Sequence, residues 1–127
     1  MTNERLRQHP EERLGAPVQM VDLAATTARL RAESHAAVAG HRQIAVFRSG
    51  PVTLVQFVFD TDGLMKEHKA EGVVIIQVLA GKLVVIAEEE AHELCTGQLL
   101  ALAPDVPHTV RALAPSEMLL AVYKYPP

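Results

Sequence analysis

Two histidines are the side chains in this sequence that could do chemistry. His68 follows a segment rich in charged residues, and His108 comes directly after the proline-rich turn at residues 104–107. An imidazole at the entrance of a pocket can act as a general base or hydrogen-bond an acidic ligand. A purely structural role for His68, in which its neighbours hold the ring, is an equally good interpretation.

The other polar residues predict structural roles. The run Glu88-Glu89-Glu90 is typical of a solvated hairpin tip. Arg111 falls on the strand face opposite to His108, where it would meet solvent or a carboxylate. The segment His41-Arg42-Gln43 predicts a solvated loop, with a lid over the fold or a subunit contact as alternatives. Cys95, the single cysteine, is expected to be a buried apolar side chain and not a nucleophile.

Composition excludes several classes of function. A single cysteine allows no disulfide or thiolate metal cluster within the chain. The net charge is -3 and the 12 basic residues are scattered, which argues against nucleic acid as a partner. Residues 1–15 are polar, and no later stretch reaches the roughly 18 apolar residues of a membrane span. A cytoplasmic protein with no membrane partner is therefore expected.

The elements that must position the histidines are mostly strands. Turn signals recur about every eight to twelve residues, which is the spacing of a sandwich or barrel. The 127 residues fit one domain, whose core must consist mainly of Val, Leu, Ile and Ala. Eight strands are predicted between the turns, over residues 43–48, 52–60, 73–80, 82–87, 91–95, 98–103, 108–112 and 117–124.

A short helix is predicted before the strands. Asp22 can cap its first turn, and Thr27 and Leu30 fall on one face. The alanine-rich run that follows would continue the helix through Ala37, and Gly40 would end it.

Two predicted strands, at residues 73–76 and 118–122, are apolar throughout. Such strands must be covered on both faces. A barrel formed by residues 41–127 covers only their inner face. The outer face would be buried by residues 1–40, interpreted as an arm with a short helix, or by a second subunit, and a homodimer is therefore predicted.

Two stretches of the sequence resemble the motifs of the cupin superfamily. Residues 63–72 and 78–83, with their glycines and His68, resemble the first motif, and residues 94–108 resemble the second. With the flanking strands, the resemblance extends over residues 41–124. It is a resemblance to small single-domain bacterial cupins of the conserved-barrel type. It implies an all-β double-stranded β-helix, or jelly-roll barrel, preceded here by the short helix.

The resemblance also implies where a metal would be held. In metal-binding cupins, two histidines and a glutamate of the first motif join one histidine of the second around a divalent cation. His68 matches the first histidine and His108 the last, but Ala70 and Val74 stand at the other two positions. Two imidazoles alone seldom hold a divalent ion well. No cofactor is therefore expected, with a divalent metal (Zn, Fe, Mn or Ni) as the alternative.

Four nearby side chains could replace the missing ligands, although none has the family spacing: Glu67, Glu71, Gln77 and His92. Side chains two apart in a strand share a face, so a regular strand turns Gln77 away from Val74 and Ile76. Gln77 is therefore predicted to point outwards.

Three functions remain open. The favoured one is a cupin that binds a small molecule in its barrel through His68 and His108, without a standard metal site. The alternative is a metal-dependent enzyme, such as a dioxygenase, decarboxylase or isomerase, with His68, His108 and a non-standard third ligand. The third is a regulatory or structural dimer whose interior is filled by its own side chains. Fold alone does not decide among them.

Overall fold

A computed structural model describes residues 16–124 of the chain. These residues form one helix, α1 at Leu23–Ala32, and nine strands. The strands are β1 at His41–Ser49, β2 at Val52–Phe59, β3 at Leu64–His68, β4 at Val73–Ala80, β5 at Lys82–Ala87, β6 at Glu90–Cys95, β7 at Leu99–Leu102, β8 at His108–Ala112 and β9 at Ser116–Tyr123. Within this part of the chain, no helix has the length and apolar character needed to cross a membrane.

The strands form two antiparallel sheets that face each other. One sheet has the order β1-β2-β9-β4-β7, and the other has the order β3-β8-β5-β6. Five of the seven neighbouring strand pairs join strands that are not consecutive in the chain, as in a jelly roll, and the other two are the hairpins β1-β2 and β5-β6. All eight predicted strands are present, but the ninth, β3, was missed. It is short and at a sheet edge, and it ends on three exposed residues, so its sequence lacks the apolar alternation of a strand.

The helix begins where the sequence predicts and ends earlier. The Asp22 side chain accepts a hydrogen bond from the backbone N–H of Ala25 at 3.0 Å, which caps the first turn. The prediction that the helix continues through Ala37 to Gly40 is wrong, because Glu33 has an extended backbone with ψ 137° and stops it after Ala32. The alanines beyond carry no apolar side chain large enough to hold another turn against the sheet.

The main core lies between the two sheets. Ile76, Val78, Leu83, Val85 and Val110 are fully buried there, and they come from strands of both sheets. Their inward side chains alternate with outward ones along each strand, as the two-residue period of a strand requires. The apolar composition of the sequence is therefore used mainly to fill the interior of the barrel.

The helix covers part of the outer face of the five-stranded sheet. Leu30 packs there against Ile44, Val46 and Val58 in a second, smaller core. Leu119 of β9 also packs against this core, whereas the outer face of β4, β7 and the end of β9 leaves large apolar side chains exposed, among them Ile75, Leu99 and Tyr123. The helix thus provides only part of the outer cover that the two apolar strands were predicted to need.

Two glycines hold the beginning of β3 in place. A Cβ on Gly63 would lie 2.3 Å from the carbonyl oxygen of Gly40, so only a residue without a side chain fits. Hydrogen bonds join the Leu64 N–H to the Ala39 carbonyl at 2.8 Å and the Ala112 N–H to the Gly63 carbonyl at 2.9 Å. This contact and its hydrogen bonds fix where β3 pairs with β8, and therefore where His68 lies.

Candidate functional site

The pairing of β3 with β8 places His68 directly opposite His108. Nearer the start of β3, Met65 pairs with Val110, so two residues of β3, Lys66 and Glu67, face one residue of β8. Such an extra residue is a β-bulge, and it reverses which side chains point inwards. Without it, Glu67 would share the inward face of Met65, and His68 would point away.

The two imidazoles contact each other at the edge of the interior. Their ring centroids are 4.3 Å apart, and the ring planes are inclined at 58°. His108 is only 1% exposed and lies on the same strand face as the buried Val110, whereas His68 is exposed. The structure therefore brings together the two residues that the sequence singled out, one inside the barrel and one at its surface.

Both rings are oriented by backbone carbonyls two residues earlier in the chain. His108 Nδ1 is 2.9 Å from the Val106 oxygen, and His68 Nδ1 is 3.2 Å from the Lys66 oxygen. A carbonyl only accepts hydrogen bonds, so Nδ1 carries the proton in each neutral ring. Each Nε2 is then an acceptor, and His108 Nε2 is buried with no hydrogen-bond partner among the described residues.

The environment of His108 favours the uncharged ring. Burial lowers the pKa of His108, the hydrogen bond to the Val106 carbonyl raises it, and the nearby charge of protonated His68 lowers it further. The net direction is a pKa below the ordinary value of 6.5. His108 is therefore an uncharged acceptor at neutral pH.

The two positions at which the family resemblance expects further ligands face the interior but are apolar. Val74 is buried in the main core, and Ala70 packs against that core. Neither side chain can coordinate a cation. These two positions thus face the interior without a side chain that could bind a metal.

The proposed substitute ligands do not complete a metal site. Gln77 lies between the buried Ile76 and Val78 and pairs with Leu99 and Leu119, which confirms that it points outwards. Glu67 borders an outer-surface cavity of about 290 Å³ instead of facing the interior.

The last two candidates also fail to provide a third ligand. Glu71 is exposed, and His92 is partly buried on β6 opposite Val85. Across residues 16–124, no three or more His, Cys, Asp or Glu side chains are grouped so that they could hold a metal ion. The described residues therefore do not fit a divalent cation.

His41 has a structural role that the sequence did not reveal. It begins β1 instead of lying in a solvated loop, so that prediction is wrong. Its ring lies 5.5 Å from the rings of both Phe57 and Phe59, and its Nδ1 is 3.1 Å from the Leu64 oxygen. The aromatic contacts explain why a histidine is accommodated at the start of this strand.

Three other predictions can be compared with the structure. Cys95 is exposed, so its predicted burial is wrong, because it follows the inward Leu94 and therefore faces outwards. Arg111 does meet a carboxylate, that of Asp62 at 3.3 Å, on the outer face of β8. The run at residues 88–90 does lie at a hairpin tip between β5 and β6.

The fold is similar to those of several solved structures. A conserved protein of unknown function from Streptococcus pyogenes matches with a TM-score of 0.70 at 18% identity, over 100% of this chain and 98% of its own. A cupin superfamily protein from Desulfitobacterium hafniense matches with a TM-score of 0.69 at 15% identity, over 89% and 96%. Salicylate 1,2-dioxygenase from Pseudoaminobacter salicylatoxidans matches with a TM-score of 0.65 at 16% identity, over 80% of this chain and 30% of the enzyme.

The chain therefore has the cupin fold, a small all-β jelly-roll barrel with a short helix, as the sequence resemblance implied. No family model matches the sequence, and no curated protein matches it either. The structural neighbours include a protein of unknown function and a dioxygenase, so the fold does not specify an activity.

Proposed function

We propose that the protein binds a small organic molecule at the mouth of the barrel through His68 and His108, without a metal ion. The observation that carries this proposal is His108 Nε2, a buried acceptor with no partner among residues 16–124. A buried polar atom left without a hydrogen bond costs about 1–3 kcal/mol. A ligand that bonds to it recovers this free energy, and such atoms in folded proteins call for an explanation of this kind.

The surroundings of the pair favour an organic ligand over a cation. Ala70 and Val106 pack against the apolar core next to the two histidines, and Val74 occupies the position of the expected glutamate. Ligand sites are usually apolar with a few placed polar groups, and two imidazoles on an apolar surface have this composition. A divalent ion would find two nitrogen donors and no carboxylate.

Elemental analysis tests the metal-free part of the proposal. The protein is purified without a metal-affinity tag, and the metal content per chain is measured for the wild type and for His68→Ala. We expect far less than one metal per chain in both. About one zinc, iron, manganese or nickel per chain in the wild type, lost in the variant, would contradict the proposal and support the metal-dependent enzyme instead.

We also propose that the chain forms a homodimer through the outer face of β9, β4 and β7. Ile75 lies next to Ala101 and Ala121 in this face, and Leu99 and Tyr123 lie further along it. Small and large apolar side chains on one sheet face suit a second copy of the same face related by a two-fold axis. The predicted cytoplasmic location stays a prediction.

Sedimentation velocity of the full chain tests the dimer. Leu99→Lys should shift the wild-type dimer to a monomer, because it places a charge in the contact. The matched control is Ile86→Lys, which changes a similarly exposed apolar residue on the other sheet and should leave the dimer intact. A monomeric wild type, or dissociation in the control only, would contradict this interface.

A further inference from the structure

The hydrogen bonds of the two imidazoles restrict the chemistry of a ligand that they can bind. His108 Nδ1 donates to the Val106 oxygen, and this leaves Nε2 with a lone pair and no proton. His68 is held in the same way by the Lys66 oxygen. A ligand that hydrogen-bonds to His108 Nε2 must therefore bring the proton of that bond.

An anionic group is a poor match for this acceptor. A carboxylate or phosphate oxygen offers only lone pairs, so it would face His108 Nε2 without a hydrogen between them. The interior provides no compensating positive charge, because its lining is apolar. The lysines that flank His68 in sequence, Lys66 and Lys69, are both exposed. A neutral hydroxyl or amide N–H can donate to the buried nitrogen directly.

The exposed His68 ring contacts the ring that carries this nitrogen. His108 Nε2 is buried, and the centroids of the two rings are 4.3 Å apart. His68 is the last residue of a five-residue edge strand and follows its bulge. A side chain at the end of such a strand can rotate with little loss of sheet pairing. Removal of its ring would open His108 to a ligand.

We infer that the ligand is a neutral molecule with a hydroxyl or amide donor, and that it reaches His108 Nε2 by displacing the His68 ring. This inference rests on the proposed binding function, specifies its ligand class, and changes the role of His68 from a binding group to a cover over His108. It excludes the acidic ligand that the two histidines suggest from their residue type alone.

Imidazole nitrogen NMR on the full-length protein tests the ligand class. The histidines are labelled with ¹⁵N and observed at about pH 8, above the ordinary imidazole pKa of about 6.5. Phenol and benzoate are titrated separately to the limit of their solubility, since they share a ring and differ in whether they donate. Phenol should shift the Nε2 resonance of His108 towards lower frequency, as a new hydrogen bond to a lone pair does, and benzoate should leave it in place.

Three variants separate the parts of the inference. His108→Phe removes the acceptor but keeps a flat ring, and it should weaken phenol binding about 5- to 100-fold. His68→Ala removes the cover and should tighten phenol binding. His92→Phe, which changes a partly buried histidine opposite Val85, is the matched control and should bind phenol like the wild type. The wild-type titration does not depend on whether a variant folds.

Each contrary result has a distinct meaning. A His108 shift with benzoate and none with phenol would overturn the ligand class and leave the binding site standing. Unchanged or weaker phenol binding by folded His68→Ala would overturn the role of His68 as a cover. If neither compound moves the His108 resonance in the wild type or in His68→Ala, the proposed binding function itself is wrong.

Discussion

Gly63 lies against the carbonyl oxygen of Gly40 so closely that a Cβ on Gly63 would be 2.3 Å from it. The contact joins the start of β1 to the start of β3, five residues before His68. The position of the histidine pair therefore depends on two residues that carry no side chain.

Gly63→Ala should destabilise the protein by about 3 kcal/mol, at the upper end of the usual effect of an atom forced into a packed site. The free energy of unfolding in urea measures this. Gly97→Ala is the control, because its Cβ would meet nothing within 4 Å and only its φ of +88° is unfavourable. That strain costs about 1–2 kcal/mol. Equal losses in the two variants would show that the contact with Gly40 relaxes easily.

Substitutions in the turn between β5 and β6 should make the protein more stable. Glu88 and Glu89 have φ values of 52° and 61°, which residues with side chains rarely adopt. Two-residue hairpin turns with positive φ at both positions favour Asn-Gly. Glu88→Asn with Glu89→Gly should therefore raise the free energy of unfolding by about 1–2 kcal/mol. Glutamine at both positions removes the charges without relieving the backbone, and an equal gain there would assign the effect to charge.

Gln56 joins helix α1 to the sheet through side-chain hydrogen bonds. Its side chain is fully buried, and its Nε2 donates to the Leu23 carbonyl at 2.7 Å and to the Thr27 hydroxyl at 2.8 Å. Gln56→Ala removes both bonds and leaves a cavity, so the free energy of unfolding should fall by about 2–4 kcal/mol. Gln43→Ala, an exposed position on the neighbouring strand, should change it by less than about 0.5 kcal/mol. Similar effects in both variants would contradict this role of Gln56.

The lowered pKa of His108 predicts a pH dependence of stability. The unfolded chain binds a proton at His108 below about pH 6.5, whereas the folded chain binds it only at a lower pH. The contribution of the neutral ring is therefore complete above pH 6.5 and is lost as the pH falls through the folded pKa. His108→Phe should show a smaller loss of stability than the wild type over this window in urea titrations. His92→Phe should follow the wild type, and parallel curves for all three proteins would refute the assignment to His108.

Much of the fold could be predicted because apolar runs and turns are visible in the sequence. The eight predicted strands are present, and the two histidines meet as the family resemblance implied. The bulge in β3 could not be predicted, since it depends on the pairing of Met65 with Val110 and of His68 with His108, not on local residue preference. The exposure of Cys95 could have been predicted, because it directly follows the inward Leu94 in an alternating strand.

The tautomers of His68 and His108 also could not be predicted from the sequence. They follow from carbonyl oxygens of Lys66 and Val106, which have no signature in residue type. The ends of α1 show the same contrast. Asp22 is a recognisable cap, whereas no glycine or proline follows Ala32 closely enough to signal that the helix ends there.

The extra residue in β3 decides which side chain lies opposite His108. The extra residue lies before His68, and an imidazole therefore faces inwards. If it moved to the other side of His68, Glu67 would take that place opposite His108. Such a shift of the bulge would exchange a base for an acid at the mouth of the barrel while the residues of the barrel wall stayed the same. The position of the bulge, more than the residue types of the wall, therefore decides which chemical group lies there.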